Sequence, residues 1–507
     1  VSAVDLFTPL AQRPILRPYQ QKGVDEILAC VQRGLNPLYC LPTAGGKGPI
    51  IGAVTEVIEQ QPDYEVWLFA HREELVNQLS EHLENVGVEH GIIASWAPLT
   101  NHRTMVCSVD TVRSRIDQLR HRFPKVRVVV IDECHHATTN TYETIAELCT
   151  KAQFIGTTAT PFRHDGKALG TRFDAEVRGP SIKHLEVSEF ISPIRLMAPP
   201  TKLNLTRIKK RMGDFVLAQL AAAVNTDDVT QAAIYAYALH AGGLPTLAFC
   251  VDVQHAVDAA HAFKAAGWSV EVMESTFKNC LDAQPGENKR TARRRCIGGL
   301  ASGRYQILFT IGMAGEGVDV PVCGAGLDLR PTESTQLWLQ HLGRIKRLYA
   351  GKTEGIWLDL VGNWSKHGMP NADRQWSLAG GLRGIEKAVA AVRRCGNCHF
   401  VSERGPERCA VCNRKYPAPR PLAPGQSAIS DARLASLPGL NGLSAEQVKN
   451  TPLKALLPLA REYDDLVTIQ KIKNYKLSWL TYVAAEKGLR PKTFGSAVPA
   501  PRRRGRW

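Results

Sequence analysis

The chain has 507 residues, room for roughly three or four domains of ~100–200 residues each. Apolar residues make up 44% and charged residues 22%, and no stretch approaches the ~20 apolar residues that a membrane-spanning helix requires, so such a helix is excluded. Lys and Arg outnumber Asp and Glu by 63 to 48, a formal charge of +15 that points to a polyanionic partner, because phosphate neutralisation and counterion release reward clustered cations.

In chain order, Val1 to Pro14 carries Asp5 and two prolines and lacks a charged-then-apolar signal pattern. Nine of the thirteen cysteines lie singly, and together these features lead us to expect free thiols in a reducing cytoplasm. From about Leu16 short apolar runs alternate with amphipathic stretches. Val66–Ala70, Thr104–Ser108, Val126–Ile131 and Phe154–Thr158 read as buried strands, with Glu73–Val86 and Tyr142–Thr150 at helical spacing between them. The alternation pauses between His164 and Asp228, around the basic run Arg207–Arg211. It resumes with strand candidates at Leu244–Val251, Ser269–Met273, Tyr305–Ile311, Gly324–Leu329 and Gly355–Leu360. The expected fold is α/β, two parallel-sheet lobes covered on both faces. Beyond them come a Cys-rich segment, a Pro-rich linker from Pro417 to Pro424, a basic helical stretch and an arginine-rich end.

The strongest local signal is Val128-Val-Val-Ile-Asp-Glu-Cys-His135. An apolar run ending in two acids sets Asp132 and Glu133 at the carboxyl end of a buried strand, where open α/β sheets bind ligands. One acid can hold Mg²⁺ while the other orients an attacking water. Upstream, Leu41-Pro-Thr-Ala-Gly-Gly-Lys-Gly48 lies between the strand-like Pro37–Cys40 and the helix-like Ile50–Gln60. A glycine-rich turn there lets backbone N–H groups and a lysine surround phosphates. Gly48 stands where such loops carry a Ser or Thr hydroxyl for Mg²⁺, Pro49 has no amide to donate, and Ala44 replaces a usual glycine. Weak nucleotide binding or slow hydrolysis is one expectation from these departures.

These segments resemble, in their order, the motifs of superfamily 2 DEAD/DEAH-like helicases. Leu16-Arg-Pro-Tyr-Gln20 looks like the adenine-side segment of that family. Phe69-Ala-His-Arg-Glu-Glu-Leu75 and Cys107-Ser-Val-Asp-Thr111 resemble its strand-end loops, and Thr157-Thr-Ala-Thr-Pro-Phe162 its coupling segment. Leu247–Val251 occupies the place of the fourth motif, Thr310–Asp319 resembles the fifth, and Gln340-His-Leu-Gly-Arg-Ile-Lys-Arg347 the sixth. Leu329-Arg-Pro-Thr-Glu-Ser334 points to the branch of RadD-like proteins and type III restriction motors.

The resemblance implies two RecA-like lobes, at 16–195 and 229–380, joined by a segment at 196–228. It implies ATP and Mg²⁺ as cofactors and nucleic acid, DNA ahead of RNA, as partner. Nucleotide binding would involve Tyr19, Gln20, Thr43, Gly45, Gly46, Lys47, Gly48, Asp132, Gly317 and Asp319. Asp132, Glu133, Gln340, Arg344 and Arg347 would complete catalysis, the two arginines sharing one helix face. Arg72, Ser108, Thr111 and Thr310 would grip the nucleic acid, and His135, Thr158 and Thr160 would couple the two events. The implied activity is an ATP-dependent helicase or translocase in DNA repair, recombination or replication. Alternatives are a helicase-like scaffold with little turnover, and a motor subunit of a restriction system.

Cys395-x2-Cys398 and Cys409-x2-Cys412 are two knuckles with ten residues between them. That spacing brings four thiolates to one tetrahedral Zn²⁺, giving a structural zinc module at 393–416. Unpaired thiols or a redox site are the alternatives, and His399 is a bystander. A basic helical region is expected at 430–490, where Lys471, Lys473, Lys476 and Trp479 either grip nucleic acid or pack a helix. The stretch 491–507 is expected to be a disordered arginine-rich tail.

Overall fold

The computed structural model describes residues 15–134, 140–161, 172–312 (apart from 202, 204, 206, 207, 212 and 213), 320–374, 392–417 and scattered positions between 448 and 489. The chain divides into a larger unit holding two sheets and the cysteine knuckles, and a smaller unit that contains the residues from Pro417 onward.

In the first lobe the strands are β1 (Pro37–Cys40), β2 (Glu65–Ala70), β3 (His90–Ile93), β4 (Thr104–Ser108), β5 (Val126–Ile131), β6 (Gln153–Thr158) and β7 (Ala175–Arg178). The helices are α1 (Pro18–Gln32), α2 (Lys47–Glu59), α3 (Glu73–Val86), α4 (Val109–Ser114), α5 (Ile116–Leu119), α6 (Asn140–Leu148) and α7 (Ile182–Val187). The strands form one seven-stranded sheet in the order β3-β4-β2-β5-β6-β1-β7, and every pairing is parallel. Parallel strands need crossover helices, and those helices cover both faces. That is why β2 and β5 read as unbroken apolar runs. Alternate residues serve opposite cores: Trp67, Phe69, Val129 and Ile131 face one layer, Val66, Leu68, Val128 and Val130 the other. Removing Trp67, which is fully buried, would cost about 3–5 kcal/mol.

The second lobe opens with β8 (Ile194–Met197), which straddles residue 195, where the expected first lobe ends. It pairs in parallel with a strand more than 150 residues downstream in the second sheet. A two-residue hairpin, β9 (Lys210–Arg211) and β10 (Asp214–Phe215), precedes α8 (Leu217–Val224) and α9 (Asp227–His240). Then follow β11 (Thr246–Cys250), α10 (Val253–Ala265), β12 (Val270–Met273), α11 (Lys289–Ala301), β13 (Ile307–Ile311), β14 (Ala325–Asp328), α12 (Thr335–Ile345), β15 (Gly355–Asp359) and α13 (Asn363–His367). Six parallel strands run in the order β12-β13-β11-β14-β15-β8. The sequence pattern anticipates most of these strands. It misses β3, β7 and β8, short strands whose half-buried or edge positions leave no unbroken apolar run.

The antiparallel pair β16 (Val392–Arg394) and β17 (Val401–Glu403) carries the first knuckle. It is tied to the second lobe by a bridge between Met197 and Phe400 and by Ala198 N–H donating to His399 O at 2.9 Å. Within the smaller unit, α14 (Leu453–Leu456) and α15 (Tyr463–Lys473) share a core that includes Val448, Leu456, Leu466, Ile469 and Leu480. Lys471 and Lys473 lie in the last turn of α15, while Lys476, Trp479 and the tail 491–507 lie outside the described residues. No helix among the described residues is long and apolar enough to cross a membrane.

Candidate functional site

The glycine-rich loop joins β1 to α2, and Gly46 caps that helix at φ 83°. Ala44 also takes a left-handed conformation, φ 71°, which an alanine holds only at a cost of about 1–2 kcal/mol. Two side chains of α1 brace the turn: Tyr19 Oη donates to Gly45 O at 2.6 Å and Gln20 Nε2 to Gly46 O at 3.1 Å. Both residues expected on the adenine side therefore grip the loop itself. The first amides of α2 have no partner within the helix by the usual helix geometry and could serve an anion, except at Pro49, which has none.

Asp132 and Glu133 follow β5, a central strand, so they emerge at the carboxyl edge of the sheet beside the loop. Lys47 Nζ sits 2.6 Å from Glu133 Oε1, both side chains nearly buried. Burial opposes charge on Lys47, but the facing carboxylates of Glu133 and Asp132 outweigh it and hold the ammonium above its usual pKa. Asp132 shows the opposite balance. Its Oδ1 accepts from Thr157 Oγ1 at 2.6 Å and from Glu133 N–H at 2.9 Å, yet burial pushes its carboxyl up against the pull of Lys47.

The second lobe contributes from α12. This helix ends at Ile345, so Arg347 lies past its last turn rather than one helical step beyond Arg344 as expected. Lys346, the residue that follows the helix, is buried and pairs with Glu186. Lys352 Nζ donates to Arg347 O at 2.9 Å and to Cys323 O at 2.6 Å, fixing the turn that follows. Both arginines still reach the site. A cavity of about 320 Å³ is lined by Lys47, Asp132, Glu133, Arg344 and Arg347, together with Thr43, Arg17, His82 and Phe190. Burial lowers the Arg347 guanidinium to about 10. The lobes meet closely here, since a Cβ on Gly343 would come within 2.2 Å of Thr43 Cγ2.

This donor set fits a nucleotide's phosphates with a divalent cation. Cationic Lys47, Arg344 and Arg347 face a carboxylate pair, and the buried Thr43 hydroxyl has no hydrogen-bond partner among the described residues. Gln340 is buried in α12 and does not line the cavity. Gly317, Asp319 and His135 lie outside the described residues. Thr158 and Thr160 bond to each other, the Thr158 hydroxyl donating to Thr160 O at 3.1 Å. It is Thr157, one position earlier, that touches Asp132.

Of the residues expected to grip nucleic acid, Arg72 crosses between lobes, donating to Gly312 O at 3.3 Å. Ser108 precedes α4 half-buried, Thr111 is buried within it, and the buried Thr310 hydroxyl donates to Ala248 O at 3.0 Å. Sequence reasoning missed Thr157, which bonds Asp132, and Arg17, His82 and Phe190, which line the cavity. The first two sit inside quoted motifs, whereas nothing local marks His82 or Phe190. Burial, reinforced by the charge of Arg347, lowers the His82 pKa, which favours the neutral imidazole.

The four knuckle cysteines converge, with all sulfur atoms within 4.8 Å of one another. Cys395 Sγ is 3.6 Å from Cys412 Sγ, and Cys398 Sγ is 3.5 Å from Cys409 Sγ. Four sulfurs at ~2.3 Å around a tetrahedral ion stand roughly 3.8 Å apart, so the cluster fits Zn²⁺ with little adjustment. Hydrogen bonds led by the Arg414 amide draw the Cys412 thiol down to about 6, favouring the thiolate a metal needs.

The family model described as "Type III restriction enzyme, res subunit" matches residues 13–163. A 51.5 kDa protein of Lactococcus phage (isolate 7-9) is 25% identical over 74% of this chain and 77% of its own length. The Saccharomyces cerevisiae protein IRC3, whose name proposes an ATP-dependent helicase, is 26% identical over 69% of this chain. The match spans about half of IRC3, 52%. The DNA 3'-5' translocase XPB2 of Sulfurisphaera tokodaii is 22% identical over 66% of this chain and 78% of its own. Among solved structures, the DNA-bound type ISP restriction-modification enzyme LlaBIII has a TM-score of 0.51 at 14% identity, over 68% of this chain and 28% of that one. A fragment named as an HsdR subunit of a type I restriction enzyme from Vibrio vulnificus YJ016 reaches 0.53 at 17%, over 73% and 69%. At such identities these two likenesses speak for the fold alone. The motifs in order, the two parallel-sheet lobes facing one phosphate-sized cavity and these relatives make the chain similar to ATP-dependent helicases and, over residues 13–163, to the motor subunit of type III restriction enzymes.

Proposed function

We propose that this chain hydrolyses ATP between its two lobes and uses the cycle to move along nucleic acid, DNA rather than RNA. The observation that carries the reading is the single cavity in which Lys47, Asp132 and Glu133 of the first lobe meet Arg344 and Arg347 of the second. Phosphate entry would draw Lys47 away from Glu133, exchanging one anionic partner for another. Glu133, released, is then available to orient a water and accept its proton. Asp132, steadied by the Thr157 hydroxyl, is placed to hold Mg²⁺, which would supply charge neutralisation between the phosphates. Arg344 and Arg347 would stabilise charge on the transferred phosphoryl group only when the lobes are together, which ties chemistry to lobe movement. Supporting DNA as the track are the DNA translocase name of XPB2 and the DNA-bound state of LlaBIII.

The test is ATP turnover with and without single-stranded DNA. Stimulated turnover that falls at least ~10²-fold in Lys47→Ala or Arg347→Ala supports the motor. Tight DNA binding without turnover supports the second reading, a scaffold, which Gly48 and Pro49 favour by removing a hydroxyl and an amide from the loop. A restriction-system motor is the third, and a subunit that copurifies and confers DNA cleavage would favour it. The zinc ion, held by four thiolates with no open position, would be structural.

A further inference from the structure

Gly48 leaves the phosphate loop without its hydroxyl, yet the space beside it is filled. A Cβ built on Gly48 would lie 1.9 Å from His82 Nε2, 2.1 Å from Cδ2 and 2.7 Å from Cε1. The imidazole of α3 therefore occupies the volume that a serine or threonine at 48 would take, and it leads with its Nε2. The approach is built into the helix pair. One turn on, a Cβ on Gly52 would touch His82 O at 3.0 Å, so α3 lies against α2 along a two-glycine seam. His82 also lines the cavity that holds Lys47, Asp132 and Glu133.

From this juxtaposition we infer that His82 Nε2 replaces the missing loop hydroxyl as a protein ligand to the divalent cation that accompanies the nucleotide. In ordinary phosphate loops that ligand is the Ser or Thr oxygen following the lysine. Exchanging a hydroxyl for an imidazole has a chemical consequence. Nitrogen ligands suit Mn²⁺ and the later transition metals, whereas Mg²⁺ favours oxygen. The site should therefore prefer Mn²⁺–nucleotide to Mg²⁺–nucleotide by more than a loop hydroxyl would allow. The inference rests on the nucleotide reading given above, and it names a residue outside every helicase motif.

The experiment uses the full chain with ADP and either metal. Pulsed electron paramagnetic resonance of the Mn²⁺–ADP complex should report a directly bound imidazole ¹⁴N in the wild type. That coupling should vanish in His82→Asn, which keeps side-chain bulk and offers an oxygen. Binding of a fluorescent ADP should favour Mn²⁺ over Mg²⁺ by roughly tenfold or more in the wild type, and His82→Asn should erase most of that preference. The double variant His82→Ala, Gly48→Ser should bind Mg²⁺–ADP at least as well as the wild type, without nitrogen coupling. Nitrogen coupling that is absent from the wild type, or that persists in His82→Asn, overturns the inference while leaving the nucleotide site standing. A wild-type chain that binds ADP with neither metal overturns both.

Discussion

The two candidate ligand sites are built in opposite ways. The four knuckle cysteines lie within 18 consecutive residues, and their hairpins alone bring the sulfurs together. The candidate nucleotide cavity gathers Lys47 and Arg347, some 300 positions apart, through two separate sheets. A site made from local turns declares itself in residue spacing, whereas a site made between lobes depends on everything that positions each lobe. The first stands or falls with its metal. The second depends on buried pairs far from the chemistry.

Removing the metal is the sharpest way to break that contrast. A strong chelator should release one zinc per chain and open residues 392–417 to protease, because metal binding of about 10–16 kcal/mol is the folding energy of so small a module. Nucleotide affinity should survive. If it vanished along with the zinc, the two sites would not be independent.

The assembled site should be sensitive at Lys346, buried in ion pair with Glu186 beside the arginine turn. Lys346→Met would strand the Glu186 carboxylate, with Asn371 Nδ2 at 2.7 Å as a neutral partner. It should cost about 3–5 kcal/mol in urea unfolding, while Lys346→Met, Glu186→Leu recovers most of it. Turnover should fall in the single variant through misplacement of Arg347. Unchanged unfolding would mean that the turn does not need the pair.

Acid should weaken the lobes before it reaches the carboxylates. Burial lowers His255 and His367 to about 4, against about 6.5 in an unfolded chain. Between those values the unfolded state binds more protons, so the stability present above pH 6.5 is lost as pH falls toward 4. Moving from pH 7 to pH 5 should remove roughly 2 kcal/mol per histidine, read from urea midpoints. A flat profile would show that these rings take up protons in the folded protein. The smallest effect is expected at the loop itself. Ala44→Gly relieves the left-handed strain but loosens the unfolded chain, for a net gain of at most about 1 kcal/mol in thermal unfolding. A loss would mean that Ala44 makes a contact worth more than its strain.

Much of this architecture was legible beforehand. The runs at Val66–Ala70 and Val126–Ile131 are continuous because both faces of a parallel strand are buried, and that pattern is local. The acids after β5 and the lysine after the glycine turn follow from it. The edge strands β3, β7 and β8 were not legible, since edge positions impose no comparable apolar run. Thr157 was quoted but passed over for Thr158, because strand alternation alone does not say which hydroxyl faces a neighbouring strand's acid.

By itself the sequence determined the strand and helix pattern, the cysteine spacing and the order of the motifs, all of which arise from interactions among residues close in the chain. Tertiary structure alone decided that Arg344 and Arg347 line the same cavity as Lys47, that β8 joins the second sheet, and that His82 fills the space beside Gly48. The physical reason is the same in each case. Such contacts are set by how helices and sheets pack, and close packing leaves no trace in the spacing of the residues it brings together.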